Sequence, residues 1–165
     1  MDRREFGWKL ALFVVLAVVV VLVFNPPLWL VSTGEYDEAT VRAVDANGSE
    51  LATVDVRIAD TQDKRRVGLS RTDRLQPGTG MLFVFETQSV HSFHMKNMNF
   101  PLDMVFVDAN GTVTQIHHAP VPAAIPEDDI RTYEGRGKWV LEVNRGWANE
   151  TGLVVGDRVE VPADV

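Results

Sequence analysis

From residue 39 onward, short apolar runs alternate with turn signals. Residues 40–44, 51–59, 81–85, 92–95, 102–107, 113–117, 139–143 and 158–161 read as eight short strands. If 100–107 is extended, Phe100, Leu102, Met104 and Phe106 share one face, and Asp103, Val105 and Val107 share the other. Both faces are mostly apolar, which predicts a central strand. Asn47-Gly48 and Asn110-Gly111 predict hairpin turns with positive φ at both central residues. Two short helices are expected. One is capped by Asp60 or Thr61 and runs through Asp63 to Arg66, with Val67 and Leu69 inward and Gly68 at its end. The other is a single turn from Trp147 to Glu150, before Gly152. The pattern predicts a mainly β fold: a compact β-sandwich or partly open barrel with one or two short helices.

The first thirty residues follow a different pattern. Residues 10–24 are apolar without interruption, and the run extends back to Phe6 if Lys9 snorkels. Residues 6–24 would then cover about 28 Å as a helix, close to the hydrocarbon thickness of a bilayer. Trp8 and Trp29 flank the run, and Pro26 and Pro27 end it. A cleaved signal peptide and a buried core helix are the alternatives; a single N-terminal transmembrane helix is the preferred expectation. Arg3, Arg4 and Lys9 precede the run, and no positive residue follows it closely. The expected topology is therefore a cytoplasmic N-terminus and a C-terminal domain outside. The expected organisation is a membrane anchor over 1–31, with residues 6–31 in the lipid bilayer, a tether over 32–38 and an exported β-domain over 39–165.

Charge narrows the partners. The chain carries a formal net charge of −7, with 23 acidic against 16 basic residues. Such a surface repels nucleic acid, so no nucleic-acid partner is expected. The acidic, lysine-poor balance also suits a protein of high-salt surroundings. The absence of cysteine excludes disulfides, thiolate metal sites and a cysteine nucleophile.

Candidate chemistry concentrates in the stretch FHMKNMNFPLD, residues 93–103. Asp103, held among valines, needs a cation or several N–H donors. Lys96 and Arg71 are candidate cations, and the bend through Asn97, Asn99 and Pro101 could supply backbone donors. Asp103 either ties down that bend or converges with Lys96 and Asn97 on a small polar ligand; spacing leaves both open. His91 and His94, and His117 and His118, match no ligand spacing, so neither a metal nor a cofactor is expected. Glu127, Asp128 and Asp129 read as a solvated acidic run. Asn47, Asn110 and Asn149 each begin an N-x-S/T sequon and are possible glycosylation sites. Asn-Gly-Ser/Thr is also ordinary turn chemistry.

The segments RVGLS (66–70), GMLFVF (80–85), FHMKNMNFPLDMVFVD (93–108), KWVLEVNRG (138–146) and GLVVGDRV (152–159) resemble an uncharacterised family, domain of unknown function 192. The resemblance runs over about 51–161 and is most specific in F-x-M-K-N-x-x-x-P-L-D. It implies a compact mainly β sandwich, often exported or membrane-tethered, with no established activity. The family's polar signature falls on Lys96, Asn97 and Asp103, with Glu142 in the V-L-E segment. This chain departs from it at His94, Met98, Ser70 and Thr72, where the family carries an aromatic, Thr, Met and Arg respectively. The expected function is a binding or envelope-associated module whose partner is a small ligand or an envelope protein. A hydrolase using Asp103 or Glu142 as its acid–base group, and a structural subunit of a membrane complex, are the alternatives.

Overall fold

The computed structural model describes residues 3–24, 27, 31–122 and 131–165, with side chains in the first helix described at 12–21 and 23. The acidic run at 127–129 lies outside these residues, as do Pro26 and Trp29 and the side chains of Phe6, Trp8 and Lys9. The chain divides into two compact units, Met1–Thr33 and Gly34–Val165.

The first unit contains α1, Arg3–Phe24. Its described apolar side chains, from Leu12 to Val21, are exposed. The expectation of a transmembrane helix is corrected here: among the described residues no helix is long and apolar enough to cross a membrane. The expected single-pass localisation, with the N-terminus in the cytoplasm and the C-terminal domain outside, falls with it.

The second unit is a mainly β half-barrel. Its elements are β1 (Glu38–Val44), β2 (Glu50–Ala59), α2 (Gln62–Val67), β3 (Thr79–His94), β4 (Leu102–Val107), β5 (Val113–Ala119), β6 (Thr132–Asn144), α3 (Trp147–Thr151) and β7 (Arg158–Glu160). One sheet holds all the described strands in the order β5-β4-β6-β3-β2-β1-β7. Neighbours are antiparallel except β2 and β3, which α2 connects as a parallel pair. The two ends of the sheet meet where Thr112 bridges Arg158 and Val159 N–H donates to Gly111 O at 2.8 Å. The expected strands 81–85 and 92–95 are one strand, β3, which pairs with β6 on both sides of an irregularity between Val84 and Ser89. Glu86, Thr87 and Gln88 sit at that irregularity, so the polar residues that look like a break are a distortion within a continuous strand.

Both Asn-Gly turns are present, built differently from the two-residue form. In each, an Asp opens the turn. Asp45 Oδ1 accepts from Asn47 and Ser49 N–H, and Asp108 Oδ1 accepts from Asn110 and Thr112 N–H, all between 2.8 and 2.9 Å. Only the glycines, Gly48 and Gly111, take positive φ, and a register shift follows at Val44 and at Val107. The carboxylate organises the backbone donors, so the Asn stays in an ordinary conformation. The Ser49 N–H lowers the Asp45 pKa most.

The side-chain period of two divides the core between the faces of the sheet. Val41, Val54, Val56, Leu82, Val105, Leu141, Val143 and Val159 form the inner cluster, joining residues from both edges of the curled sheet. Met81, Phe83, Leu102, Met104, Phe106 and Val140 point outward into a second cluster. Leu69 and Leu75, Met95 and Met98, and Tyr133 roof that cluster. α2 is capped by Thr61, whose hydroxyl accepts from Lys64 N–H at 3.2 Å, and it ends at Gly68 with φ 49°. Val67 and Leu69 are buried, as the sequence pattern requires.

Candidate functional site

The four residues of the expected polar cluster divide between the two faces. Asp103 pairs in register with Val143, and Met104 pairs with Glu142, so Asp103 and Glu142 point to opposite sides. Asp103 is fully buried on the inner side. One oxygen accepts from His118 Nδ1 at 2.7 Å, and the other accepts from the Gly146 and Ala148 N–H groups, each at 3.0 Å. Gly146 is the N-cap of α3 and has no side chain to cap it. Asp103 satisfies those donors from β4 and so fixes the turn that follows β6. Neither Lys96 nor Arg71 is its partner: backbone N–H groups and a histidine meet the buried carboxylate.

Glu142 lies on the outer side, between Met81 of β3 and Met104 of β4 in directly opposed register. It is 5% exposed, and its carboxyl makes no hydrogen bond or ion pair to protein among the described residues; its oxygens keep contact with solvent, unlike Tyr36 Oη and Trp139 Nε1, the described buried polar atoms left without a partner. Loss of hydration raises its pKa from 4.5 to about 8, so the group is a neutral acid at pH 7.

Lys96 and Asn97 occupy the tight turn that carries the chain from β3 toward β4. Met98 N–H donates to Met95 O at 3.2 Å, and Asn97 takes φ 60°, a conformation Asn tolerates better than most residues. Met95 and Met98 point into the outer cluster; Lys96 is half-buried and Asn97 is exposed. The turn thus belongs to the Glu142 side of the sheet, while Asp103 does not.

The same outer side carries a groove of about 590 Å³ over β1 and β2, bordered by the segment that leads into β3. Glu38, Thr40, Asp55 and Arg57 form its floor, and Thr72 and Arg74 rise beside it. Arg57 pairs in register with Met81, one strand from Glu142's row-mate, and donates to Thr72 Oγ1 at 2.9 Å. Asn144 Nδ2 donates to Leu75 O at 3.1 Å, which holds the groove wall against β6. This groove and the two methionines beside Glu142 escaped the sequence reading. Strand alternation shows which residues share a face of one strand, but cross-strand register is what brings 57, 81, 142 and 104 into one row.

The histidines serve the protein's own backbone and side chains. His91 Nε2 meets Gly137 O at 3.1 Å, and burial lowers its pKa. His117 Nε2 meets Glu134 O at 2.7 Å, and His94 Nδ1 accepts from Lys96 N–H at 3.4 Å. The three sequon residues, Asn47, Asn110 and Asn149, are all exposed.

No curated protein matches this chain. Two crystal structures share its fold. A protein from Sinorhizobium meliloti, described as a candidate transcription regulator, is similar at 31% identity and a TM-score of 0.69, over 78% of this chain and 97% of that one. A protein of unknown function from Novosphingobium aromaticivorans is similar at 25% identity and a TM-score of 0.66, over 78% of this chain and 94% of that one. The profile of domain of unknown function 192, described as an uncharacterized ACR, matches residues 42–161, and the chain belongs to that family.

Proposed function

We propose that the domain is a binding module that receives a small ligand on the outer side of the half-barrel, at Glu142. The observation that carries this reading is the setting of that carboxyl: it is 5% exposed, its oxygens still reach solvent, and no protein group pairs with it among the described residues. A buried carboxyl without a partner costs stability, and such costs collect where a site is built for something else to bind. Lys96 and Asn97 lie on the turn whose Met95 and Met98 join the outer cluster, which supports a role for them beside the ligand. Asp103 belongs to the scaffold, because its two oxygens already accept three hydrogen bonds.

The test is native mass spectrometry of the full chain purified gently from its host, beside Glu142→Leu and Glu142→Gln. The expected result is a mass excess on the wild type that both variants lose, with a melting temperature in Glu142→Leu no lower than wild type. Equal mass excess in all three, or a Glu142→Leu chain that fails to fold, overturns the reading.

A further inference from the structure

We infer that the ligand received at Glu142 is a soft monovalent metal ion, copper(I) or silver(I), held by methionine sulfurs; this rests on the binding reading above. The chain has 5 methionines. Four of them, Met81, Met95, Met98 and Met104, are buried in the outer cluster, and the inner cluster has none. Leucine and valine fill the inner cluster, and leucine matches methionine closely in volume.

Position sharpens the case. Met81 and Met104 are the direct cross-strand neighbours of Glu142 on its two sides. Directly opposed residues on one face hold their Cβ atoms about 4.5–5.5 Å apart, so both sulfurs can meet a carboxyl oxygen on one ion between them. Met95 and Met98 come from the roof, on a turn whose ends are tied by the Met98 N–H to Met95 O bond. Two thioethers thus flank the one oxygen acid in register, and two more belong to the same buried cluster.

Donor chemistry selects the ion. Thioethers are soft, neutral ligands that favour copper(I) over magnesium, calcium or manganese. Among the described residues no group of three or more His, Cys, Asp or Glu side chains could hold a metal, so zinc-type ligation has no donor set. Charge selects the valence: on binding, Glu142 gives up its proton to solvent, the resulting single carboxylate in an apolar shell neutralises one positive charge, and a divalent ion would leave one uncompensated. This differs from the sequence expectation of no metal, which considered only histidine and carboxylate spacings.

The experiment is an anaerobic titration of the purified full chain with copper(I) against a chromophoric copper(I) chelator, with X-ray absorption at the copper edge. The wild type is expected to take one copper(I) per chain with sulfur scatterers around it. Met81→Leu/Met104→Leu is expected to lose at least tenfold in affinity with little change in melting temperature. If that double variant fails to fold, Met98→Leu together with the wild-type absorption spectrum decides. No copper(I) uptake, a copper shell without sulfur, or undiminished affinity in the leucine variants overturns the inference. A mass excess on the wild type that depends on Glu142 but contains no copper or silver would overturn the metal and leave the binding reading standing.

Discussion

Asp103 and Glu142 are both buried carboxyl groups on adjacent strands, one register step apart, and they make opposite bargains with their surroundings. Asp103 faces inward and meets three donors, so its burial fastens β4 and β5 to the start of α3. Glu142 faces outward between Met81 and Met104 in register and has no described protein donor, so only the solvent that reaches its oxygens offsets its burial. Burial alone does not separate a structural acid from a functional one; the count of donors reaching it does.

The largest effect is expected from removing the satisfied partner. Asp103→Ala leaves the Gly146 and Ala148 N–H groups without their acceptor and should lower unfolding stability by about 3–5 kcal/mol. Urea denaturation measures this, and a loss smaller than that of Glu142→Gln would break the contrast. Next is the pH response of Glu142. Its folded pKa of about 8 stands above its ordinary 4.5, so its neutral form favours the fold most fully below pH 4.5. That contribution is lost as pH rises through about 8, a change of at most about 5 kcal/mol between the two limits. Wild-type stability should therefore fall from pH 5 to pH 9 more steeply than that of Glu142→Gln; parallel curves would show that the carboxyl is solvated or paired.

A smaller effect is expected from His118→Ala. The ring is partly exposed, so water can replace it against Asp103, and the cost should be about 1 kcal/mol, read from the shift in denaturation midpoint. The smallest belongs to the exposed counterparts of Asp103. Asp45→Ala and Asp108→Ala each remove an acceptor of two backbone N–H groups at a hairpin turn, where solvent competes. Each should shift the midpoint less than His118→Ala does; a larger shift at either would mean that turn closure contributes more than the buried histidine contact.

Much of the β-domain is readable from residue order, because the strands with strict alternation or continuous apolar runs have no competing helical period. Residues 102–107 read as a central strand and lie between β5 and β6 as fully buried β4. The length of β3 is not readable, because Glu86, Thr87 and Gln88 look like a loop until β6 is there to pair around them. Asp103's need for donors follows from its neighbours in sequence, while their identity does not: His118, Gly146 and Ala148 lie 15, 43 and 45 residues away. The setting of Glu142 is hidden for the same reason, since Met81 and Met104 reach it from other strands. At the N-terminus, composition alone suggests a membrane span that the described helix does not supply.

The two turns spelled D-A-N-G have a further consequence. Around Gly48 there is open space, whereas an added Cβ at Gly111 would come within 3.0 Å of Val159 O, the strand that completes the curl of the sheet. Identical words in the sequence thus form a free-standing turn in one place and a packed seam in the other. A side chain strains the positive φ at either glycine, but only at Gly111 would it also press on the neighbouring strand and loosen the seam of the half-barrel.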